Sequence, residues 1–215
     1  MAMSDKDLRK AIKEARLYVL LTINLCKLSV LDTARLAIRG GADVLQLRGK
    51  DVPEKELRRL ALEVRALTKE LGAIFIINDR PDITIEAQAD GLHIGQEDMP
   101  IEEARRLVGN DKLIGISAHS IQQARQAQAN GADYLGIGPI FPTDTKARVN
   151  PVGTQLIQQV AKEITIPFFA IGGIDTYNVR QVLAAGATRI AVCSAIVSQE
   201  DVLDAARGLC RELSR

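Results

Sequence analysis

Gly131-Ala132-Asp133-Tyr134-Leu135-Gly136-Ile137-Gly138 decides the fold of this chain. A glycine ends a helical stretch, Ala-Asp makes a short turn, and an apolar run too hydrophobic to be half-exposed follows at once. The same grammar recurs at Gly41-Ala42-Asp43 before Val44–Arg48 and at Gly186-Ala187-Thr188 before Arg189–Cys193. A scrambled copy, Ala89-Asp90-Gly91, opens Gly91–Ile94. Each is a short αβ turn, so one βα unit repeats along the chain.

Working outward, further strand-like runs fall at Leu17–Thr22, Ile74–Asn78, Leu113–Ser117 and Phe168–Ile171, with Tyr134–Gly138 as the strand of the opening stretch. Amphipathic helical patterns lie between them, near 30–40, 53–71, 81–88, 100–108, 120–130, 154–163, 176–185 and 199–213. Pro53 and Pro100 sit where a first-turn proline is tolerated, and Ser120 is placed to cap its helix. Gly72, Gly109 and Gly131 fall where helices should end. Eight strands, each followed by a helix, predict an α/β fold: a single TIM (β/α)8 barrel over 1–215, with 1–16 as a short N-terminal helical extension. A doubly wound open sheet is the alternative, because periodicity does not prove closure. No linker or break in composition divides the chain.

Composition bounds the function. Of 215 residues, 47% are hydrophobic and 26% charged, which suits a soluble domain with a sizeable core. A net charge of +1 gives no field that would gather nucleic acid or an anionic membrane, and 3% aromatics with no Trp argues against base stacking. Cys26, Cys193 and Cys210 are odd in number and scattered, without C-x-x-C, so reduced thiols in a cytoplasmic protein are the simplest account. Met1–Arg16 lacks the apolar region of a signal peptide, and no run of 18 apolar residues is present to span a membrane.

Functional groups of such a barrel gather at the C-terminal ends of its strands. The longest of the loops there, Gly138–Gly153, has three prolines and two glycines that forbid regular structure, yet it carries Thr143, Thr145, Lys146 and Arg148. Hydroxyls, an ammonium and free backbone N–H groups suit an anion; a merely solvated loop is the other reading. Arg48 and Lys50 alternate at the end of strand 2 and can face one polyanion, or can be two surface charges. Asp79 and Asp98 on neighbouring strand ends fit Mg²⁺ shared with a phosphorylated substrate, although Asp79 could instead cap the helix after it. Gly172-Gly173 after strand 7 and Ser194 after strand 8 occupy the usual barrel phosphate position, or the glycines make only a tight turn. Two anion sites around one mouth suggest two phosphorylated substrates.

His93 lies within a strand and reads as a core or layer residue, while His119 could serve as acid or base or help cap a helix. No Ser/His/Asp or Cys/His arrangement is legible, and Cys193 has no evident base. The chemistry lacks a dedicated protein nucleophile.

Gln46–Lys50, Asn78-Asp79, His93–Asp98, Gly115–Ser120, Gly138–Lys146, Ile171–Ile174 and Ser194–Ile196 together resemble the thiamine-phosphate synthase (thiamine-phosphate pyrophosphorylase) family. The pieces run in order from strand 2 to strand 8. The resemblance implies a transferase of thiamine biosynthesis that joins hydroxymethylpyrimidine pyrophosphate to thiazole phosphate, releasing pyrophosphate. By the same resemblance Gln46, Leu47, Arg48, Gly49, Lys50 and Asn78 would bind the pyrimidine pyrophosphate, with Ser117 and Lys146 completing that site. Arg48, Lys146 and Ser117 would be catalytic. Asp79 and Asp98 would hold one Mg²⁺ per subunit; Thr143, Asp144, Thr145, Gly173, Cys193 and Ser194 would hold the thiazole phosphate. The family mechanism is dissociative, with pyrophosphate leaving first, which explains the missing nucleophile.

Two departures stand out. The family often has Glu where this chain has Gly49, and the strand-1 segment Tyr18–Ile23 lacks the acidic residue common at its end, so no role is assigned to it. Competing functions are a thiazole tautomerase using a histidine at the place of His119, and a non-catalytic binder of thiazole or thiamine phosphate. The partners expected are two small phosphorylated molecules, with no nucleic acid or membrane; a homo-oligomer is left open.

Overall fold

A computed structural model of the chain describes residues 5–143 and 150–214. Eight parallel strands close on themselves in sequence order, and β8 pairs back with β1. They are β1 (Leu17–Thr22), β2 (Val44–Arg48), β3 (Ile74–Asn78), β4 (Gly91–Ile94), β5 (Leu113–Ala118), β6 (Tyr134–Ile137), β7 (Phe168–Ile171) and β8 (Ile190–Val192). Closure leaves no strand edge, and the barrel, not the open sheet, is the fold.

The outer ring comprises α2 (Val30–Arg39), α3 (Glu54–Leu71), α4 (Pro81–Glu86), α5 (Ile101–Val108), α6 (Ile121–Ala129), α7 (Gly153–Glu163), α8 (Val179–Ala184) and α10 (Val202–Leu213). The expected last helix over 199–213 is shorter than its pattern, and the apolar segment before it is a separate four-residue turn, α9 (Ser194–Val197). Ser120 caps α6 as expected, accepting the Gln123 N–H at 3.2 Å. Pro53 and Pro100 stand one residue earlier than expected, at the N-caps of α3 and α5; Pro81 takes the first-turn position of α4.

Every strand is buried on both faces, and alternation divides its side chains between two cores. Leu17, Val19, Leu21, Leu45, Leu47, Phe75 and Ile77 point outward to the helices. Tyr18, Leu20, Val44, Ile74, Ile76, Leu113, Tyr134 and Phe169 fill the barrel interior, where Leu8, Ile12 and Ala15 join them. Those last three come from and just follow α1 (Asp5–Glu14), whose apolar face plugs the N-terminal end of the barrel. The N-terminal helix is therefore a stopper that leaves the opposite mouth as the place for chemistry.

The repeated Ala-Asp turn has a physical purpose at that stoppered end. Asp133 donates its backbone N–H to the Ile114 carbonyl at 2.8 Å, and its carboxylate accepts the Ile114 N–H at 2.8 Å. Asp90 clasps Phe75 in the same two-point way, at 2.8 and 2.9 Å, and Asp43 clasps Leu17 at 2.9 and 3.0 Å. The start of each even strand β2, β4 and β6 thus pins the start of the odd strand before it. At β8 Thr188 stands in the aspartate's place, and Ile190 donates instead to the Arg16 carbonyl at 3.0 Å.

Candidate active site

Inward parity turns one set of polar side chains into the barrel, at or below the open mouth. In β2 it selects Gln46 and Arg48, in β3 Asn78, in β4 His93, in β5 Ser117, and just past β8 Cys193. Leu47 has the opposite parity and is buried at 1% exposure among the outer helices, so only its backbone can face a ligand. A cavity of about 1020 Å³ opens here, and Arg48, Ser117, Thr143, Gly173, Cys193 and Ser194 all line it. His119 lines it as well.

Beneath the cavity floor the inward residues form one hydrogen-bonded string. Gln46 Nε2 donates to the Tyr18 hydroxyl at 2.6 Å, and the Tyr18 and Tyr134 hydroxyls meet at 3.1 Å. Tyr134 reaches His93 Nδ1 at 3.3 Å, and His93 Nε2 reaches Ser117 Oγ at 3.1 Å. Gln96 Nε2 donates to the Ser117 carbonyl at 2.6 Å and steadies the same residue from outside the string. Burial pushes both phenols well above the ordinary tyrosine range, so both keep their protons. Glycine makes room for the rings: a Cβ on Gly115 would stand 2.1 Å from Tyr134 Cζ. Gly115 is the register partner of both His93 and Tyr134, so the three form one layer across β4, β5 and β6.

On the rim, Lys50 Nζ lies 3.1 Å from Asp79 Oδ2. Asp79 takes φ 60°, left-handed backbone that aspartate tolerates better than most residues, and its N–H donates to the His93 carbonyl at 2.9 Å. The Asp98 carboxylate accepts the Gly95 N–H at 2.6 Å and stands within hydrogen-bonding reach of Asp79. Burial, followed by Asp98, holds the Asp79 carboxyl above its ordinary range, with Lys50 opposing.

The loop after β6 is pinned at its base. Ile140 and Phe141 donate to the Ile171 and Gly172 carbonyls at 2.9 and 3.0 Å, while Val152 and Gly153 donate back to Pro139 and Ile140 at 2.8 and 3.2 Å. Gly173 takes φ 63°, and a Cβ there would stand 2.5 Å from the Pro142 carbonyl oxygen, so glycine lets the β6 and β7 loops touch. The middle of the loop, with Asp144, Thr145 and Lys146, lies outside the described residues.

A family model described as thiamine monophosphate synthase matches residues 17–196. The chain belongs to that family. It is 51% identical over 179 residues to the thiamine-phosphate synthase of Halalkalibacterium halodurans, covering 83% of each chain. The synthase of Methanocella arvoryzae is 50% identical over 179 residues, covering 83% of this chain and 84% of its own. Among solved structures, the thiamine phosphate pyrophosphorylase of Pyrococcus furiosus superposes with a TM-score of 0.86 at 38% identity, over 94% of this chain and 97% of that one.

Within this synthase-family barrel, most of the expected residues fall in two groups. Arg48, Ser117, Thr143, Gly173, Cys193 and Ser194 share the cavity wall, and Lys50, Asp79 and Asp98 form the rim cluster. Gln46 is 2% exposed and reaches inward to Tyr18. Gly49 is enclosed, since a Cβ would meet Ile23 Cδ1 at 2.7 Å and Leu57 Cδ1 at 3.1 Å. Apolar packing accounts for the glycine at this departure. Strand β1, given no role for want of an acid, contributes Tyr18. His93 is the interior layer residue expected of it, but one whose two nitrogens bridge Tyr134 and Ser117. Tyr18 and Tyr134 were missed; their signal was inward parity shared with Gln46 and Ser117.

The rim pair suits Mg²⁺. Burial first, and then the neighbouring Asp98 carboxyl, raise the Asp79 carboxyl, and a divalent cation would offset both where Lys50 alone does not. Hard oxygen donors in this number are what Mg²⁺ takes when phosphate oxygens and waters complete its shell. Among the described residues no cluster of three or more His, Cys, Asp or Glu offers an all-protein metal cage.

Proposed function

We propose that the protein is a thiamine-phosphate synthase, a transferase of thiamine biosynthesis acting as a single barrel domain over 1–215. It joins 4-amino-2-methyl-5-hydroxymethylpyrimidine pyrophosphate to 4-methyl-5-(2-hydroxyethyl)thiazole phosphate, giving thiamine phosphate and pyrophosphate. The observation that carries this is the convergence of Arg48, Ser117, Gly173 and Ser194 on one cavity beside the Lys50–Asp79–Asp98 rim, in a chain of this family.

Gln46, Leu47, Arg48, Gly49, Lys50, Asn78, Ser117 and Lys146 bind the pyrimidine pyrophosphate. Asp79 and Asp98 hold Mg²⁺, one per subunit, which when bound neutralises charge on the departing pyrophosphate. Thr143, Asp144, Thr145, Gly173, Cys193 and Ser194 place the thiazole phosphate so that the ring nitrogen faces the pyrimidine methylene carbon. Departure of pyrophosphate leaves a methylene cation stabilised by the ring's amino group, and the thiazole nitrogen then attacks. Such a reaction draws on positioning and on charge stabilisation of the leaving group more than on acid–base catalysis. Cavity walls keep water from the cation. The protein works in the cytoplasm on small phosphorylated molecules, alone or as a homo-oligomer.

The test mixes both substrates with Mg²⁺ and follows thiamine phosphate and pyrophosphate. Stoichiometric formation of both supports the proposal; folded protein that forms neither rejects it. Lys146→Ala should lower turnover at least about a hundredfold if it meets the leaving group, and near-normal turnover would remove it from the site.

A further inference from the structure

The direction in which protons run along Gln46–Tyr18–Tyr134–His93–Ser117 decides what Ser117 can do. An amide NH₂ only donates, so Gln46 Nε2 at 2.6 Å takes a lone pair of the Tyr18 oxygen. With Gln46 as donor, both remaining contacts are satisfied if the Tyr18 proton points to Tyr134 across the 3.1 Å contact and the Tyr134 proton to His93 Nδ1 at 3.3 Å. An imidazole that accepts at Nδ1 carries its proton on Nε2, which donates to Ser117 Oγ at 3.1 Å. The serine's own proton is then released toward the cavity that Ser117 lines.

We propose that Tyr18, Tyr134 and His93 are positioning residues that set this chain of protons one way, so that Ser117 presents O–H, not a lone pair, to an anion in the mouth. That the anion is a substrate pyrophosphate rests on the synthase reading above; the direction of the string does not. If the string ran the other way, Ser117 would give its proton to His93 and turn lone pairs toward the anion, which repels them. Interior burial keeps both phenols protonated, as a donor string needs. Gln46 and Ser117, at the two ends, are thereby coupled through groups that touch no substrate.

The two histidines make the direction measurable, because they are the only ones in the chain. His119 Nδ1 faces the Gly138 carbonyl oxygen, which only accepts, so neutral His119 carries its proton on Nδ1. ¹⁵N spectra of the imidazoles near pH 9, above the ordinary histidine range of about 6.5, should show opposite tautomers: Nε2–H for His93 and Nδ1–H for His119. His93→Gln assigns the signals. In Tyr134→Phe, His93 loses its donor at Nδ1 and should show a mixture of tautomers, whereas a purely structural tyrosine would leave it unchanged. The same variant should lose about tenfold in kcat/KM for the pyrimidine pyrophosphate, with no further loss in a Ser117→Ala background. His93 protonated on Nδ1 in the wild-type protein overturns the proposal, as do additive losses from Tyr134→Phe and Ser117→Ala. A wild-type protein that shows the expected tautomers but makes no thiamine phosphate sinks the synthase reading and leaves the direction standing.

Discussion

Asp133 and Ile114 hold each other at two points, backbone N–H to carbonyl and carboxylate to backbone N–H, both at 2.8 Å. Arg105 Nη2 and Arg9 Nε close on the same carboxylate at 2.6 and 2.9 Å, tying α5 and α1 to the clasp. The αβ turn that announces the fold is thus also a fastening of neighbouring strands. Asp133→Ala should cost about 1–3 kcal/mol, the penalty of leaving a buried backbone N–H without its acceptor. Denaturant unfolding reads the loss, while turnover per folded molecule should stay near wild type because the clasp lies at the stoppered end. An unchanged midpoint would show the clasp to be redundant.

Asp90 should cost more. Its carboxylate accepts both Arg65 guanidinium nitrogens, at 2.7 and 2.8 Å, as well as the Phe75 N–H, and both side chains are nearly buried. Asp90→Ala strands a buried cation, and removing one partner of such a pair costs about 3–5 kcal/mol. The double change Asp90→Ala with Arg65→Met should recover part of that in the same unfolding experiment. A single change no worse than Asp133→Ala would argue that water reaches Arg65.

The barrel was legible because its signal repeats and because strands buried on both faces read as apolar runs. Polar residues at strand ends, such as Arg48 and Ser117, were legible by position alone. Leu47 shows the limit: membership of a motif does not say which way a side chain points, and only alternation of the two cores turns it outward. The string through Tyr18 and Tyr134 was not legible, because a phenol inside a barrel looks like packing until its oxygen is placed against another. Gly49 and Gly115 were opaque for a related reason, since the atoms that require glycine lie on other strands or helices.

Gly115→Ala tests that packing. Its Cβ would fall 2.1–2.5 Å from three ring atoms of Tyr134, inside an interior layer that also holds His93. The ring must move, at a cost of about 1–3 kcal/mol for overpacking, and the string to Ser117 must break with it. Stability and turnover should therefore fall together, unlike in Asp133→Ala. Full activity in a stable Gly115→Ala protein would show that the layer can repack without consequence.

Asp79 gives a pH dependence whose sign is fixed. Burial and Asp98 raise its carboxyl above the ordinary value, so the folded protein binds that proton more tightly than the unfolded chain does. Metal-free protein accordingly loses stability as pH rises from the ordinary aspartate value of about 3.9 through the raised one. Asp79→Asn should remove that slope and be more stable than wild type at neutral pH in chelator. If Asp79 and Asp98 hold Mg²⁺ as proposed, the same substitution should weaken magnesium pyrophosphate binding by at least about tenfold by calorimetry, since one of the two proposed hard ligands is lost. For the wild type, Mg²⁺ affinity should begin to fall at a higher pH than an ordinary aspartate would allow. Equal slopes for wild type and Asp79→Asn would remove Asp79 from the rim pair.

His119 separates the synthase from an isomerase that would use the same imidazole as a base. Its Nδ1 is engaged by the Gly138 carbonyl at the foot of the β6 loop, and its backbone N–H donates to Gln123 Oε1 at 2.6 Å. Ser120, not His119, caps α6. These contacts make the imidazole an anchor for the start of the loop, and an amide donor can replace it. His119→Asn should keep turnover within a few-fold of wild type, and His119→Ala should lose less than about tenfold, mainly through KM as the loop base loosens. A true general base would cost about 10²–10⁴ in both variants, because neither replacement can accept the proton. A loss of that size in His119→Asn, with the pH profile of turnover changed, would assign His119 to proton transfer and count against a reaction driven by pyrophosphate departure.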